Sequence, residues 1–186
     1  MQFNSLPIKD ALEIVPDPRK DDRGFFARVF CSEMFKEHIP DFDCVQMNHS
    51  KSALRGTLRG LHYQLAPFEE IKILKCIRGK IYDVILDIRL DSPTFGKSIG
   101  IELSEDNMKM VVVPKGCAHG FLTLTDNSEV MYMVSAPYSS ELERGIRWND
   151  PTFSVKWPEM PRIISERDQN HPNFDHFHHL NVVSVS

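Results

Sequence analysis

Two histidines that each follow a glycine-containing segment constrain the fold of this chain most strongly. His62 ends the run Gly56-Thr-Leu-Arg-Gly-Leu-His62, and His119 ends the later run Pro114-Lys-Gly-Cys-Ala-His119. Between them, residues 72–87 have the pattern of two strands around a turn at Gly79. Polar side chains at strand positions are unusual in the apolar interior of a small barrel. We therefore interpret the pattern as a β-barrel with an internal pocket.

The rest of the chain has the pattern of one β-rich domain spanning residues 1–186. From residue 44 to 133, short apolar segments alternate with Gly, Pro, Ser and Asn turns, which favours an antiparallel sandwich or barrel. Residues 1–30 are predicted to form an extended arm, with strands over 11–15 and 25–30 and a polar loop over 16–24. A short helix is predicted from an N-cap at Ser32 to near Pro40. The tail from about residue 173 is predicted to be flexible.

Composition excludes several classes of function. The formal net charge of −4 and the pI near 6.1 give no basic field that would favour nucleic acid. No apolar run is long enough to span a membrane, and the N-terminus lacks the regions of a signal peptide. The cysteines are widely spaced and form no C-x-x-C pair: Cys31, Cys44, Cys76 and Cys117. We expect a cytoplasmic protein with reduced thiols and no nucleic-acid or membrane partner.

The spacing of His62 and His119 is typical of the two cupin motifs, which raises the question of a metal. Metal-binding cupins usually carry a second histidine two residues after the first, where this chain has Gln64. A neutral amide oxygen binds first-row metal ions weakly, so we favour a site without metal. Glu69 or Glu70 would complete a His-His-carboxylate set, so a metal-dependent cupin enzyme stays an alternative. A second alternative is that the two histidines are ordinary core residues, but two histidines on facing strands beside Arg59 and Lys72 are too polar for an ordinary core.

Several longer motifs, in a fixed order, are similar to those of the dTDP-4-dehydrorhamnose 3,5-epimerase family. They run from about residue 5 to about residue 172 and comprise Asp22-Arg-Gly-Phe-Phe26, 45–52, 58–64, 81–89, Ser92-Pro-Thr-Phe-Gly96, 114–120 and Trp148-Asn-Asp-Pro151. The resemblance implies an all-β, cupin-like jelly-roll barrel with an N-terminal extended arm and short peripheral helices. It also implies a homodimer, in which the arm crosses to the partner, and no metal or cofactor.

The chemistry that the resemblance implies suits the residues at the matching positions. Inverting a carbon beside a ketone needs a base on one face of the sugar, an acid on the other face and a group that stabilises the enolate oxygen. His62 is the natural base, because its unperturbed pKa lies near neutral. The resemblance makes Asp168 its orienting carboxylate, Tyr132 the opposite acid and Lys72 the cation beside the developing oxyanion.

A second set of positions matches the family's substrate-binding residues. The resemblance assigns nucleotide-sugar binding to Arg23, Gln46, Asn48, Arg59, Glu143 and Arg167, and places His119 and Asp83 in the inner polar shell. Guanidinium groups suit a diphosphate because they bind it with paired hydrogen bonds. Tyr138 is a candidate to stack on a base or sugar. Because Asp83 interrupts an apolar strand, we expect it to have a buried partner, with Lys72 as a candidate.

One departure bears on the substrate. The family often has a glutamate that contacts the nucleotide where this chain has Arg28. Arg28 is therefore a substrate-binding candidate that leaves the nucleoside open. The sequence predicts a cofactor-independent epimerase of a nucleotide-linked 4-keto-6-deoxy sugar, with dTDP-4-dehydro-6-deoxy-D-glucose favoured. An epimerase of one carbon, a CDP- or GDP-linked substrate and a non-catalytic sugar-nucleotide binding module are the alternatives.

Overall fold

The computed structural model describes residues 1–180 and consists of two mainly antiparallel sheets packed face to face. Its strands are β1 (Gln2–Ser5), β2 (Leu12–Val15), β3 (Arg19–Asp21), β4 (Gly24–Phe26), β5 (Gln46–Ser52), β6 (Thr57–Gln64), β7 (Lys72–Arg78), β8 (Lys80–Asp87), β9 (Ser98–Ser104), β10 (Met110–Val113), β11 (Cys117–Thr123), β12 (Ser128–Val134), β13 (Glu143–Gly145) and β14 (Ile163–Ile164). Its helices are α1 (Ser32–His38), α2 (Glu166–Gln169) and α3 (His176–Leu180).

The strand order of each sheet explains how distant parts of the chain meet. The first sheet has the order β1-β2-β10-β7-β12-β5, and the second has the order β13-β6-β11-β8-β9. The short β14 pairs in parallel with β6, whereas β3 and β4 form a separate hairpin. The predicted all-β, cupin-like jelly roll with short peripheral helices is confirmed.

The main core lies between the two sheets and follows the alternation of strand side chains. On β7, Leu74 and Cys76 face inward, and on β8 Ile81 and Ile85 do the same from the opposite sheet. By the same alternation Lys72, Asp83, His119 and Tyr132 also face the space between the sheets, although they are polar. The sandwich therefore directs a group of polar side chains into its own interior.

The outer face of each sheet is covered by a separate part of the chain. Phe35 and Ile39, from α1 and its end, pack with Ile73 and Val112 against the first sheet. Phe153, Phe174 and Leu180 pack against the second sheet, over Leu61, Tyr63 and Ile146 and their buried neighbours. This cover brings the segment after residue 150 close to β6, which bears His62.

The turn at Gly79 joins the two sheets and does not close a hairpin. β7 pairs with β10 and β12, whereas β8 pairs with β9 and β11, so the chain changes sheet at this glycine. Gly79 has φ of +71°, and a Cβ there would lie 2.4 Å from Thr125 Oγ1. Strands β7 and β8 were correctly predicted from the sequence. Their placement in different sheets was not predicted, because it depends on the tertiary structure.

The N-terminal arm differs in detail from its prediction. The predicted loop 16–24 contains β3, and the predicted strand 25–30 is reduced to β4, which ends at Phe26. Helix α1 spans the predicted residues, but its N-cap is Cys31, which makes no capping hydrogen bond with its side chain. Phe25 and Phe26 are 60% and 72% exposed on this chain.

The segment after residue 173 is packed through residue 180, in contrast to the flexible tail expected there. His179 is fully buried, and its carbonyl oxygen accepts a hydrogen bond of 2.9 Å from the Tyr63 hydroxyl. The remainder of the predicted tail, residues 181–186, lies outside the described residues. Within the described part of the chain, no helix has the length and apolar character needed to cross a membrane.

The four cysteines are free thiols, in agreement with the sequence. Two of them lie in the core between the sheets. Burial raises the pKa of Cys76 to about 11 and that of Cys117 to about 12. These two thiols therefore stay protonated at neutral pH and act as small apolar side chains.

Candidate active site

Two adjoining cavities open where the inward-facing side chains become polar. The larger has a volume of about 490 Å³, and the smaller has a volume of about 340 Å³. Both are lined by His62, Lys72 and Tyr132. The larger is also lined by Arg59, His119, Arg167 and Asp168, and the smaller by Gln46, Asn48, Tyr138 and Glu143. His62 belongs to the second sheet, whereas Lys72 and Tyr132 belong to the first, so the shared residues come from both walls.

An irregularity in β6 allows two of its polar residues to face the cavity. His62 is opposite His119 and Arg59 is opposite Phe121, so β6 contains one more residue than β11 between these pairs. This bulge resets the alternation of side chains, and Arg59 and His62 both point inward. Gly60, within the bulge, has φ of +105°, and a Cβ there would lie 2.6 Å from the His119 carbonyl oxygen. The glycine of the Leu58-Arg-Gly-Leu-His62 motif is thus required by the backbone.

His62 and Asp168 form a close imidazole–carboxylate pair. His62 Nε2 lies 2.6 Å from Asp168 Oδ1, and the backbone N–H of Gly60 donates to Asp168 Oδ2 at 3.1 Å. Asp168 is brought there by α2, whose first turn is capped when Ser165 Oγ accepts from the Asp168 N–H. The sequence predicted this pair correctly from the family resemblance.

The environment of Asp168 favours its ionised form. Burial alone would raise its pKa, but the contacts with the imidazoles of His171 and His62, together with the Gly60 N–H, hold the pKa well below the ordinary value. A carboxylate can only accept hydrogen bonds, so the proton of the contact belongs to His62 Nε2. His62 Nδ1 is then the nitrogen with a free lone pair.

Lys72 is paired with a carboxylate that the sequence did not assign to it. Its Nζ lies 3.0 Å from Glu70 Oε1 and donates to the His62 carbonyl oxygen at 3.4 Å. The side chains of Lys72 and Glu70 are only 13% and 10% exposed. A cation so little exposed interacts strongly with charge that develops beside it.

Tyr132 is on β12, in the wall opposite His62. Burial raises the pKa of its phenol, and the nearby charges of Glu70 and Glu143 add to this effect, although Arg59 opposes it. The phenol is therefore protonated at neutral pH and can donate a hydrogen bond or a proton into the cavity.

The expected pairing of Asp83 with Lys72 is wrong. Asp83 is fully buried, and His119 Nε2 lies 2.8 Å from its Oδ2. Asp83 Oδ1 has no hydrogen-bond partner among residues 1–180. His119 and His62 are on neighbouring strands of one sheet and not on facing strands. Asp83 therefore lies behind His119, which itself lines the larger cavity.

The remaining polar residues cluster at the mouth of the smaller cavity. The Tyr138 hydroxyl donates to Glu143 Oε2 at 2.7 Å, and Arg167 forms an ion pair with the same oxygen. Gln46 Nε2 donates to Asn48 Oδ1 at 2.9 Å. Burial would raise the pKa of Glu143, but the hydrogen bonds from Tyr138 and Arg167 lower it overall. The structure thus brings all of the predicted binding residues except two together around the cavities. Asp83 is included because it contacts His119, which lines the larger cavity.

The two exceptions are Arg23 and Arg28 on the arm. The Arg23 side chain is 89% exposed and forms a salt bridge of 2.6 Å with Asp21. Arg28 is also exposed, and neither arginine lines the two cavities of its own chain.

Gln64 and Glu70 form contacts with each other and with other protein groups. These contacts compete with the binding of a metal ion by the His-His-carboxylate set considered in the sequence analysis. Gln64 Nε2 donates to Glu70 Oε2 at 2.8 Å and to the Phe68 carbonyl oxygen at 2.9 Å. Its Oε1 accepts from the Ser139 N–H at 2.6 Å. His119 is bound to Asp83, so a His62–His119–Glu70 set is not assembled in this arrangement.

Comparison with known proteins agrees with this geometry. A family model described as dTDP-4-dehydrorhamnose 3,5-epimerase matches residues 5–176. A dTDP-4-dehydrorhamnose 3,5-epimerase from Sinorhizobium fredii is 44% identical over 174 residues, which cover 93% of this chain and 89% of the relative. The chain belongs to the dTDP-4-dehydrorhamnose 3,5-epimerase family.

Solved structures of the same type are similar along most of their length. The Bacillus anthracis dTDP-4-dehydrorhamnose 3,5-epimerase with TDP and PPi bound is 39% identical, with a TM-score of 0.90, and 93% of this chain and 99% of that chain are covered. A 3′-monoepimerase from Streptomyces bikiniensis in complex with dTDP-quinovose is 32% identical, with a TM-score of 0.86, over 91% of this chain and 86% of that chain. The fold is thus shared by epimerases of one and of two carbons.

Two residues of this family member's site were not assigned from its sequence. Glu70 was considered only as a metal ligand, and its role as partner of Lys72 depends on tertiary packing. His171 was given no role from the sequence, yet its Nε2 lies 3.5 Å from Asp168 Oδ1. Its position three residues after Asp168, just past a helical turn, was a signal that the two side chains share one side.

Proposed function

We propose that the protein is an epimerase that inverts C3 and C5 of dTDP-4-dehydro-6-deoxy-D-glucose and yields dTDP-4-dehydro-L-rhamnose. Family membership supports the nucleotide-linked 4-keto sugar as substrate. The observation that carries the proposal is the His62–Asp168 contact of 2.6 Å in one wall of a cavity whose other wall bears Lys72 and Tyr132.

His62 is the proposed base. Its Nδ1 accepts the proton of a carbon next to the C4 ketone, and the electron pair of that C–H bond moves to the ketone oxygen to form an enolate. Asp168 orients the ring and stabilises the imidazolium that results. A well-placed base of this kind contributes on the order of a hundredfold or more to the rate.

Lys72 and Tyr132 complete the reaction from the other wall. The ammonium group of Lys72, whose side chain is only 13% exposed, stabilises the enolate oxygen. The Tyr132 phenol then donates a proton to the carbon from the face opposite His62, which inverts the centre. An enolate is basic enough to take a proton from a phenol with a high pKa. These steps use only acid–base chemistry of the chain's own residues.

The nucleotide part of the substrate is proposed to bind at the rim. Arg59 and Arg167 suit the diphosphate, because each guanidinium can donate two parallel hydrogen bonds. Gln46, Asn48 and Glu143 offer hydrogen bonds to the base or sugar, and the half-exposed ring of Tyr138 offers a stacking surface. His119, supported by Asp83, is proposed to contact the sugar from the inner end.

We further propose a homodimer that is joined through the N-terminal arm. Strand β1 pairs with β2, and β2 pairs with β10 of its own chain, so the part of the arm that is proposed to reach the second subunit is residues 16–30. Phe25, Phe26 and Phe30 are exposed apolar side chains on one short arm, which favours burial against a second chain. β5 is an edge strand, and its Met47 is 56% exposed beside the cavity residues Gln46 and Asn48. Such an arrangement would bring Arg23 and Arg28 to the partner's nucleotide site.

The decisive experiment is incubation with dTDP-4-dehydro-6-deoxy-D-glucose in D2O, followed by NMR. Deuterium is expected to enter at both C3 and C5, with accumulation of the inverted product. Exchange at one carbon alone would make the protein a monoepimerase, like the relative from Streptomyces bikiniensis. Stabilisation by ligand without any exchange would identify a binding module and overturn the proposal.

A further inference from the structure

We propose that His62, Asp168 and His171 form a binding site for a divalent transition-metal ion such as Zn²⁺, and that the bound ion switches off the catalytic base. The inhibitory consequence rests on the proposed function, whereas metal binding itself does not. The site differs from the cupin metal set, because it uses neither His119 nor the Gln64 position.

The three side chains converge on one point. One donor atom from each residue lies within 4.8 Å of the other two. Asp168 Oδ1 is 2.6 Å from His62 Nε2 and 3.5 Å from His171 Nε2, so both imidazoles face the same carboxylate oxygen. The centroids of the two imidazole rings are 5.7 Å apart, with an interplanar angle of 80°.

These separations are close to those of a tetrahedral zinc site. Zn²⁺ binds imidazole nitrogen at about 2.0–2.1 Å and carboxylate oxygen at about 2.0–2.2 Å, which puts neighbouring donors about 3.4 Å apart. The two distances from Asp168 Oδ1, 2.6 and 3.5 Å, lie on either side of that value, and the two imidazole donors lie within 4.8 Å of each other, so side-chain adjustment would admit the ion. Two imidazoles and one carboxylate are also a ligand set found at zinc sites that keep an open position.

His171 is mostly buried, and its Nε2 is available as a ligand atom for a metal ion. Its side chain is only 11% exposed. Its Nε2 is shielded from solvent and, apart from the 3.5 Å contact with Asp168 Oδ1, has no polar partner among residues 1–180. The ring packs onto Gly145, where an added Cβ would lie 2.1 Å from His171 Nε2. A buried imidazole nitrogen without a partner is costly, and a metal ion would satisfy it.

Metal binding would reverse the arrangement of protons on His62. In the free site, Nε2–H donates to Asp168 and the Nδ1 lone pair is available to accept a proton from substrate. A metal ion on Nε2 binds through the lone pair of that nitrogen, so Nε2 gives up its proton and the neutral ring carries its single proton on Nδ1 instead. Nδ1 then becomes a donor, and His62 no longer acts as a base.

The first test measures binding without turnover. The purified full-length chain is treated with chelator, and then titrated with Zn²⁺ by calorimetry and with Co²⁺ by visible absorption. The wild-type chain is expected to bind a single ion in this site, with the intense absorption of tetrahedral Co²⁺. Asp168→Asn and His171→Gln are expected to lose this binding, because an amide is a poor ligand for these ions.

A matched control separates this site from the histidines near the C-terminus. His178 is exposed on α3 and does not belong to the cluster. His178→Gln is expected to keep the affinity and the Co²⁺ spectrum of the wild-type chain. If His178→Gln abolishes the tetrahedral spectrum while His171→Gln keeps it, the proposed site is wrong.

The second test measures inhibition of epimerisation by Zn²⁺. His171→Gln also removes a contact of Asp168, so its turnover in the presence of chelator is measured first and serves as the reference for its own inhibition by Zn²⁺. Its inhibition constant for Zn²⁺ is expected to rise by about tenfold or more, since losing a ligand weakens binding at least as much as losing a supporting contact. Chelator is expected to leave wild-type turnover unchanged or to raise it.

The two tests fail in distinguishable ways. A chain that binds Co²⁺ through His171 but exchanges no substrate protons would retain the metal site and lose the proposed function. Equal inhibition of wild type and His171→Gln by Zn²⁺ would overturn the metal proposal and leave the function intact. Thermal melts of Asp168→Asn and His171→Gln show whether any loss of metal binding reflects unfolding of the variant.

Discussion

The imidazole of His62 and the carboxylate of Asp168 are 2.6 Å apart, although 106 positions separate them in the chain. His62 is held by the bulged strand β6, and Asp168 by the short helix α2. Gly60 joins the two elements, because its N–H binds the second carboxylate oxygen at 3.1 Å. Backbone contacts therefore hold Asp168, which in turn orients the imidazole of the proposed base: the Gly60 N–H binds the carboxylate, and the Asp168 N–H binds Ser165 Oγ.

Replacement of His62 by alanine tests this base. His62→Ala is expected to lower proton exchange at both carbons by on the order of a hundredfold or more, because the cavity loses the imidazole that Asp168 orients. Affinity for dTDP, measured by calorimetry, is expected to stay within a few fold. His178→Ala, in an exposed position, serves as the control. Near-normal exchange in His62→Ala would remove His62 from the mechanism.

Replacement of Tyr132 by phenylalanine tests whether the second wall supplies the acid. In Tyr132→Phe the base still removes a proton, but the donor on the opposite face is missing. Solvent deuterium is then expected to enter with retained configuration faster than the epimer accumulates, as followed by NMR. Tyr82→Phe is the control, since Tyr82 lines neither cavity. A parallel fall of exchange and inversion would show that Tyr132 is not a dedicated acid.

The buried Lys72–Glu70 pair allows the roles of charge in catalysis and in stability to be separated. Lys72→Met is expected to lower kcat by about a hundredfold, the usual cost of losing one group that stabilises an oxyanion. It also leaves Glu70 buried without its cation, which costs about 3–5 kcal/mol in folding free energy.

The double variant Lys72→Met/Glu70→Gln is the matched control for that effect. It is expected to recover much of the lost stability, measured by thermal or urea unfolding, because no unpaired charge is left in the site. Its kcat is expected to stay as low as that of Lys72→Met. Recovery of kcat together with stability would mean that Lys72 acts through the fold and not on the enolate.

A buried carboxylate remote from the cavities should make the fold sensitive to acid. Burial would raise the pKa of Asp87, but hydrogen bonds from Arg89, Ser92 and Thr94 lower it to about 2. The folded-state pKa is thus below the unfolded value of about 3.9, so the ionised form stabilises the fold by about 2–3 kcal/mol above pH 4. That contribution is lost as the pH falls from about 4 to about 2.

The corresponding measurement is urea unfolding of Asp87→Asn and wild type between neutral and acidic pH. The variant is expected to be less stable by about 2–3 kcal/mol at pH 7, with a difference that narrows below pH 4. Asp91→Asn, at a nearby exposed position, is expected to behave as wild type. A difference between wild type and Asp87→Asn that is independent of pH would contradict the assigned pKa.

The parts of the site that were predictable from sequence are those determined by local motifs. The glycines around His62 and the alternation of β7 and β12 predict that His62, Lys72 and Tyr132 face one interior. Which polar side chains pair with each other was not predictable, because the pairing depends on the register between neighbouring strands. Asp83 is opposite Phe121, beside His119, in the β8–β11 pairing, and this register gave Asp83 a partner other than Lys72.

The packing of the C-terminal segment, residues 173–180, was also not predictable from the local sequence. Its polar composition predicts a flexible tail, since polar segments bury too little apolar surface to offset their lost entropy. Phe174 and Leu180 are nevertheless enough to hold it against the second sheet, with His179 buried between them and β13. No local pattern marked these few apolar residues as a cover for a distant sheet.

Arg28 provides a test of both the proposed reach of the N-terminal arm to the second subunit and the identity of the nucleoside. It is exposed on its own chain and lines neither cavity there, so the proposed dimer requires it to reach the partner's site. A guanidinium donates to a carbonyl oxygen or phosphate, whereas the glutamate frequent in the family accepts from a base N–H. Arg28→Glu is therefore expected to change the ratio of kcat/KM for dTDP- and CDP-linked 4-keto sugars, with little effect on proton exchange at saturation. Arg19→Glu, an equal charge reversal on β3, is the control. An unchanged ratio in Arg28→Glu would mean that Arg28 does not face the nucleoside.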